Sequence, residues 1–455
     1  MLLYTPSTTR LGPYGQGTGL KDGEIPMCQR RFSAIRVPWA LPFLLLGSLS
    51  WATGAAAQKN DPLNQRLESS RYSLTINNGQ LAGTGASIVT GALDQAQFVL
   101  VGEDHGIAQI PEFWSAICRT AVPAGFHTIA IETGPLAAAQ LQEWIRQPDA
   151  ETRVARFEKE HPDSMAFYNF KQEFEMLQHC ADQSASADFH LWGLDQEFLG
   201  SAAWILEQVL QTHPGPQSRA AIEELLKESN LARAKAEQSG SPADLYLAAA
   251  KDEHLSNTAS ALRKDGNAEA QALFAGLVQS HEIYAEYMRG SNYLSNRTRA
   301  QLMKRSFAVR FEEGSRQTKR PPKVLVKMGA DHLYRGRNPL HSSELGDYIA
   351  EIAEGAGAKS LHILVLGVKG SQLRYGKVGS PYEPGSFDLT KDPSYAFMKP
   401  MFDNLLAAGW TMYDLRPLRD DFDSLLSASE DMERLVFGYD LLVLIPQASP
   451  STQIR

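Results

Sequence analysis

The sequence predicts an α/β fold: a mostly parallel central sheet flanked by helices, with a helical insertion over the C-terminal edge of the strands. Two observations carry this. Several short runs are apolar nearly throughout instead of alternating, the mark of strands covered on both faces. Helix-periodic stretches lie between them, so strand and helix alternate at the spacing of crossover connections. The chain has 455 residues, 43% hydrophobic and 21% charged, enough to close such a core.

Taken in chain order, residues 1–57 read as a leader and export signal, with translation expected to start at Met27. Arg30, Arg31 and Arg36 precede an apolar run from Trp39 to Trp51, and Ala55-Ala56-Ala57 stands before Gln58 as a cleavage site. The apolar stretch is short and broken by glycine, so it suits a cleaved signal better than a membrane span. Membrane contact is expected only through an uncleaved signal, and the expected location is periplasmic or secreted. Residues 58–455 read as a single α/β hydrolase-like domain.

Its strands are expected at 97–102, 127–131, 189–193, 323–328, 360–366, 409–414 and 439–445, with helices at 111–122, 135–147, 164–182 and 200–212. Between 200 and 320 the pattern becomes charged, alanine-rich and helix-periodic. Four helices are expected there, as a wall or lid over the active edge or as a crossover packed on the sheet. Turns are expected at Ser239–Pro242 and Gly290–Asn296. Cys118 and Cys180, both on helices, read as small apolar core residues that an oxidising compartment would allow to pair. Trp114, Trp192 and Trp204 read as core. The formal charge of −8 excludes general nucleic-acid affinity.

The chemistry-bearing residues gather where strands stop. "FVLVGEDHG" releases Glu103 and His105 after Gly102, and alternation in an extended segment points both to one side with Asp104 turned away. "HTIAIETGP" ends in Glu132, "FHLWGLDQEF" in Asp195, and "KVLVKMGADHLYRGRNP" in Asp331 and His332. An open α/β sheet places its site at these C-terminal ends. Glu132 has an alternative reading as a helix cap at Pro135. Arg335 and Arg337 stand equally as contacts for an anionic group or as a solvated loop. His341, nine residues beyond His332, reads as helix capping, with lining the site as the alternative. His281, with Glu282 and Glu286, lacks the second histidine of a zinc-protease helix and reads as a solvated face, as does His254. No Gly-x-Ser-x-Gly elbow occurs, which favours attack by water over a covalent serine.

From Gln97 to Ser449 these pieces, in this order, resemble the superfamily that joins erythromycin esterase-like hydrolases to the ChaN and Tiki/TraB proteins. "VLVGEDHG", "GFHTIAIET", "LWGLDQEF", "NRTRAQLMKRSFAVRF", "VLVKMGADHLYRG" and "YDLLVLIP" carry the resemblance. In the esterase branch it implies His105 as a general base for water attack on an ester, lactone or amide. Glu103, Glu132 and His332 would assist, and Arg297 or Arg299 would contact substrate or oxyanion beside Asp195 and Asp331. The expected substrate is a small molecule or a peptide.

The single residue between Glu103 and His105 departs from the two of the esterases and is closer to the ChaN and Tiki branches. Those imply haem or a divalent metal, with Glu103, His105, Glu132 and His332 as ligands and Tyr334 as a haem contact. Three readings stay open on the sequence: a hydrolase with no cofactor, a haem- or metal-handling envelope protein or metal-dependent peptidase, or a catalytically dead scaffold.

Overall fold

The computed structural model describes residues 62–184, 189–421 and 429–455. The expected leader and export signal, and with them the start at Met27, lie outside the described residues. Among the described residues eleven strands are formed: β1 (Arg71–Asn77), β2 (Gln80–Ala82), β3 (Phe98–Glu103), β4 (Thr128–Ile131), β5 (His190–Gly193), β6 (Val324–Gly329), β7 (Ser360–Gly367), β8 (Lys369–Arg374), β9 (Glu383–Asp388), β10 (Trp410–Asp414) and β11 (Leu441–Ile445). Nine of them make one sheet in the order β2-β1-β10-β11-β7-β3-β6-β4-β5. From β11 to β5 every pairing is parallel, and β10, β1 and β2 add an antiparallel flank. All seven expected strands are present, because each is apolar enough to be covered on both faces; β3 and β11 are buried along their whole length.

The elements the sequence did not announce are edge or surface hairpins. β1 and β2 are only partly covered, and β8 pairs with β9, whose sequence EPGSFD carries a proline and a glycine. Neither pair shows an apolar run. The helix expected over 164–182 begins only at Lys171, since Asp163 and Phe167 adopt left-handed backbone at φ +56° and +61°. A helix Ala150–Glu160 precedes that loop.

The excursion between β5 and β6 is mostly helical, with long helices Pro216–Ser239, Asp252–Asp265, Ala268–Met288 and Asn292–Thr318. Their ends follow local chemistry. Pro216 occupies the first turn, the Asp265 carboxylate accepts the Gln217 and Ser218 amides at 2.8 and 3.0 Å, and Gly240 closes the helix at φ +69°. Asn267 caps the helix Ala268–Met288 through the Ala270 amide at 2.8 Å. The turn expected over Gly290–Asn296 is shorter than that, for the last helix starts at Asn292.

This last helix joins the two alternatives for the insertion. Its first turns reach the strand ends, where Arg299 is buried. Its body lies on the sheet, with Met303 and Phe307 fully buried and the Phe307 ring 5.9 Å from Phe98 and 6.1 Å from Trp192. A buried phenylalanine of this kind contributes about 3–5 kcal/mol against alanine, so the helix is anchored on the core.

On the other side, Cys118 and Cys180 form a disulfide between helices Gln109–Ala121 and Lys171–Asp182, with Cα atoms 5.2 Å apart. This corrects the reading of both as plain core residues: they are fully buried and also bonded. Trp114, Trp192 and Trp204 are buried as expected. Among the described residues no helix is long and apolar enough to cross a membrane.

Candidate active site

The register of the parallel strands sets the site. Glu103 lies opposite Gly329, and Ile131 opposite Lys327, so the C-terminal ends of β3, β6 and β4 stand side by side. The residues just past each strand therefore meet those of its neighbours. His105 Nδ1 lies 3.2 Å from Glu103 Oε1, and its Nε2 lies 3.2 Å from Glu132 Oε2. Glu132 Oε2 also accepts the Gly329 amide at 2.5 Å, while Oε1 accepts Arg299 at 2.7 Å. The Arg299 Nε donates to Asp195 at 2.9 Å, and its Nη2 makes a second, shorter bond to the same carboxylate. His332 places Nε2 3.7 Å from Glu132 and Nδ1 3.2 Å from Glu344. Glu103, His105, Glu132, His332, Asp195 and Arg299 thus form one connected cluster.

Its electrostatics differ from those of a free histidine and a free acid. Burial disfavours a charged His105, but Glu132 and Glu103 outweigh it and hold the imidazole at a pKa of about 9. Burial works against the Glu103 carboxylate too, and the Lys327 ammonium 2.5 Å away overcomes it, keeping the acid below its usual range. Lys327 is shared with Glu173 at 2.9 Å, whose own carboxyl burial pushes up to about 7. All three are almost wholly buried. His105 is the most open member, with 13% of its side chain exposed against 10% for His332.

Sequence reasoning missed Lys327, Glu173, Glu344 and Phe167. The first had a signal, a lone lysine inside the apolar run VLVKM. The others sit in helix starts and loops whose partners only the tertiary fold brings near. Phe167 stacks on the His105 ring at 3.9 Å and 13°.

Other expectations need correcting. Asp104 is part-exposed, and burial pushes its carboxyl up to about 7. Asp331 is raised likewise by burial and does not join the hydrogen-bonded cluster. Arg297 is exposed on its helix, two positions from Arg299. Arg299 itself is buried and bonded to Asp195 and Glu132. Arg335 is not a solvated loop residue, and the anionic group it contacts belongs to the chain itself. The chain after His332 doubles back, and Arg335 binds Asp440 and the Ser360 carbonyl at the N-terminal ends of β11 and β7. Arg337 is exposed. His341 is exposed at φ +59° in a turn and not a helix cap. His281 is buried, bonded to the Leu247 carbonyl and Asp252, and not on a solvated face. His254 is part-exposed and paired with Glu228 at 2.7 Å.

The haem and metal readings find little support in the donor set. Tyr334 is buried in the core against Tyr439, ring centroids 4.7 Å apart, and is no open axial ligand. Among the described residues no group of three or more His, Cys, Asp or Glu side chains is arranged to hold a metal ion. The positive charge that an ion would bring to these carboxylates comes from Lys327 and Arg299.

No protein-family profile and no curated protein matches the chain. Solved structures do match it. A succinoglycan biosynthesis protein aligns at TM-score 0.55 and 14% identity over 89% of this chain and 100% of its own. A protein from Bacillus cereus aligns at 0.53 and 14%, over 86% and 98%. An erythromycin esterase mutant in its open conformation aligns at 0.56 and 15%, over 85% and 99%. At such identities the likeness is one of fold.

Proposed function

We propose that the chain is a hydrolase of ester, lactone or amide bonds in which His105 takes a proton from the attacking water. The observation that carries this reading is the His105 imidazole, held between two carboxylates at adjacent parallel strand ends and open to solvent in an otherwise buried cluster. Glu103, fixed by Lys327, orients Nδ1–H. Nε2 is the working nitrogen. Gly329 keeps space beside it, for a Cβ there would stand 2.9 Å from Nε2. Water attacks the carbonyl carbon as Nε2 takes its proton. The resulting imidazolium, stabilised by Glu132, returns the proton to the leaving alcohol or amine. His332, oriented by Glu344, polarises the carbonyl oxygen.

The high proton affinity of His105 sets the working range. With a pKa of about 9, only about 1% of molecules carry the neutral base at pH 7. Export to the periplasm or medium belongs to the same proposal, supported by the signal-like residues 30–57 and by a disulfide that an oxidising compartment maintains.

The test is a panel of ester, lactone and peptide substrates run on native protein and His105→Ala, with and without a chelator. Hydrolysis that needs His105 and ignores the chelator is expected. Loss of activity on chelation, with metal found by elemental analysis, would replace this mechanism with a metal-dependent one. N-terminal sequencing of exported protein should begin near Gln58.

A further inference from the structure

We propose that Phe167, Phe198 and Tyr375 form a ring-binding wall beside His105, and that the substrate it accepts carries a planar aromatic ring next to the scissile bond. This rests on the hydrolase reading for the reaction, but not for the binding.

Three separate segments bring these rings together. Phe167 lies in the loop between helices Ala150–Glu160 and Lys171–Asp182, at φ +61°, a conformation bulky side chains rarely adopt. It is held there from both sides: its ring stacks on His105, and its amide donates to the Tyr375 hydroxyl at 3.0 Å. Tyr375 follows β8, which is locked onto the turn that carries His105. The Leu373 amide donates to the Gly106 carbonyl at 2.8 Å, and a Cβ on Gly106 would stand 2.2 Å from the Leu373 carbonyl oxygen. Phe198 follows Glu197, whose carboxylate accepts the Leu136 amide at 2.6 Å and so fixes the loop after β5.

The rings meet at angles. Phe167 and Tyr375 are 6.1 Å apart at 67°, and Phe198 and Tyr375 are 4.9 Å apart at 46°. Phe170 and Tyr382 back them from the buried side, at 6.0 and 4.4 Å from Tyr375. Phe167 is buried, whereas Phe198 and Tyr375 keep part of their surface exposed. Apolar ring surface left open beside a few convergent polar groups is the composition of a small-molecule site. Tilted rings at these separations favour a further ring over an alkyl chain, because an offset or edge-on aromatic contact adds to the area buried. The strained Phe167 gains a role in this arrangement: it links the wall to the ring of the base.

The experiment compares methyl phenylacetate with methyl hexanoate, and measures binding of the phenylacetate anion by the NMR shift of the His105 imidazole. Native protein should show a KM about two- to tenfold lower for the aryl ester. Phe198→Leu and Tyr375→Leu should abolish that preference and weaken phenylacetate binding. Two variants on different segments guard against one that fails to fold. Equal KM values for the two esters, or a preference for the alkyl ester, overturn the wall. Phenylacetate binding that Phe198→Leu weakens, with no ester cleaved, keeps the wall and defeats the hydrolase reading instead. With no ester cleaved and no phenylacetate bound, the wall falls as well.

Discussion

Two buried ionic clusters sit at opposite edges of the same sheet, and each encloses a histidine. At the C-terminal edge His105 lies between two carboxylates. At the N-terminal edge His362 lies beside Asp440, which is clamped by Arg335 at 2.8 and 2.6 Å and by Arg419 at 3.1 Å. The two imidazoles shift in opposite directions. Acids outweigh burial at His105 and raise it to about 9; burial, aided by Arg335, pushes His362 down to about 3. His362 is fully enclosed, with Nδ1 on the Leu333 carbonyl and Nε2 on Ser360, and has no approach for a substrate. Burial and charge alone therefore do not mark a reactive histidine. What sets His105 apart is the access to solvent at a strand end, which His362 lacks.

The contrast breaks most visibly if both clusters respond alike to removal of their centres. His105→Ala should lower the rate of hydrolysis by roughly 10²–10⁴-fold and leave the protein folded, since Lys327 and Arg299 still neutralise the carboxylates. Asp440→Ala should do the reverse. It leaves two partly buried arginines unpaired, costing about 3–5 kcal/mol in denaturant unfolding, with the rate per folded molecule unchanged. A large rate loss in Asp440→Ala would erase the distinction.

Acidity sharpens it next. Hydrolysis should rise about tenfold per pH unit up to about pH 9, where neutral His105 becomes the major form. Stability is trimmed from both sides. His105 is raised, so its contribution is full below about 6.5 and is lost as pH climbs through 9. His362 is depressed, so its cost grows as pH falls from about 6.5 toward 3, where the unfolded chain binds the proton that the fold refuses. Histidine NMR titrations check both; a midpoint near 6.5 for either one defeats the account of that cluster.

Much of this was legible in the sequence, for a physical reason. Seven strands showed because burial on both faces requires continuous apolar runs, and the C-terminal acids and histidines showed because strand ends are where such runs stop. β1, β2 and the β8–β9 hairpin did not show, being only partly covered. Within the site, Glu103, His105, Glu132 and His332 belong to strand ends and were found. Glu173 and Glu344 belong to helix starts that the tertiary fold carries in, and nothing local distinguishes them from solvated acids. Arg335 misled because the chain reverses after His332, and sequence distance does not reveal a change of sheet edge. The disulfide depended on the spacing of two helices, which no local pattern encodes.

Arg297 and Arg299 give the smallest and most discriminating test. Both lie in NRTRAQLMKRSF, and the sequence offered no way to choose between them. Residues two apart on a helix point about 200° apart, so burying one exposes the other. The fold buries Arg299, with Nε and Nη2 on Asp195 and Nη2 on Glu132, and leaves Arg297 exposed. Arg299→Lys should lower both rate and stability, because an ammonium cannot span two carboxylates as the planar guanidinium does. Arg297→Ala should change stability by no more than about 0.5 kcal/mol and leave the rate at native level. Steady-state kinetics and a denaturant titration on the two variants decide it. A rate loss in Arg297→Ala would mean that the exposed arginine contacts the substrate after all, and the site would then extend further along this helix.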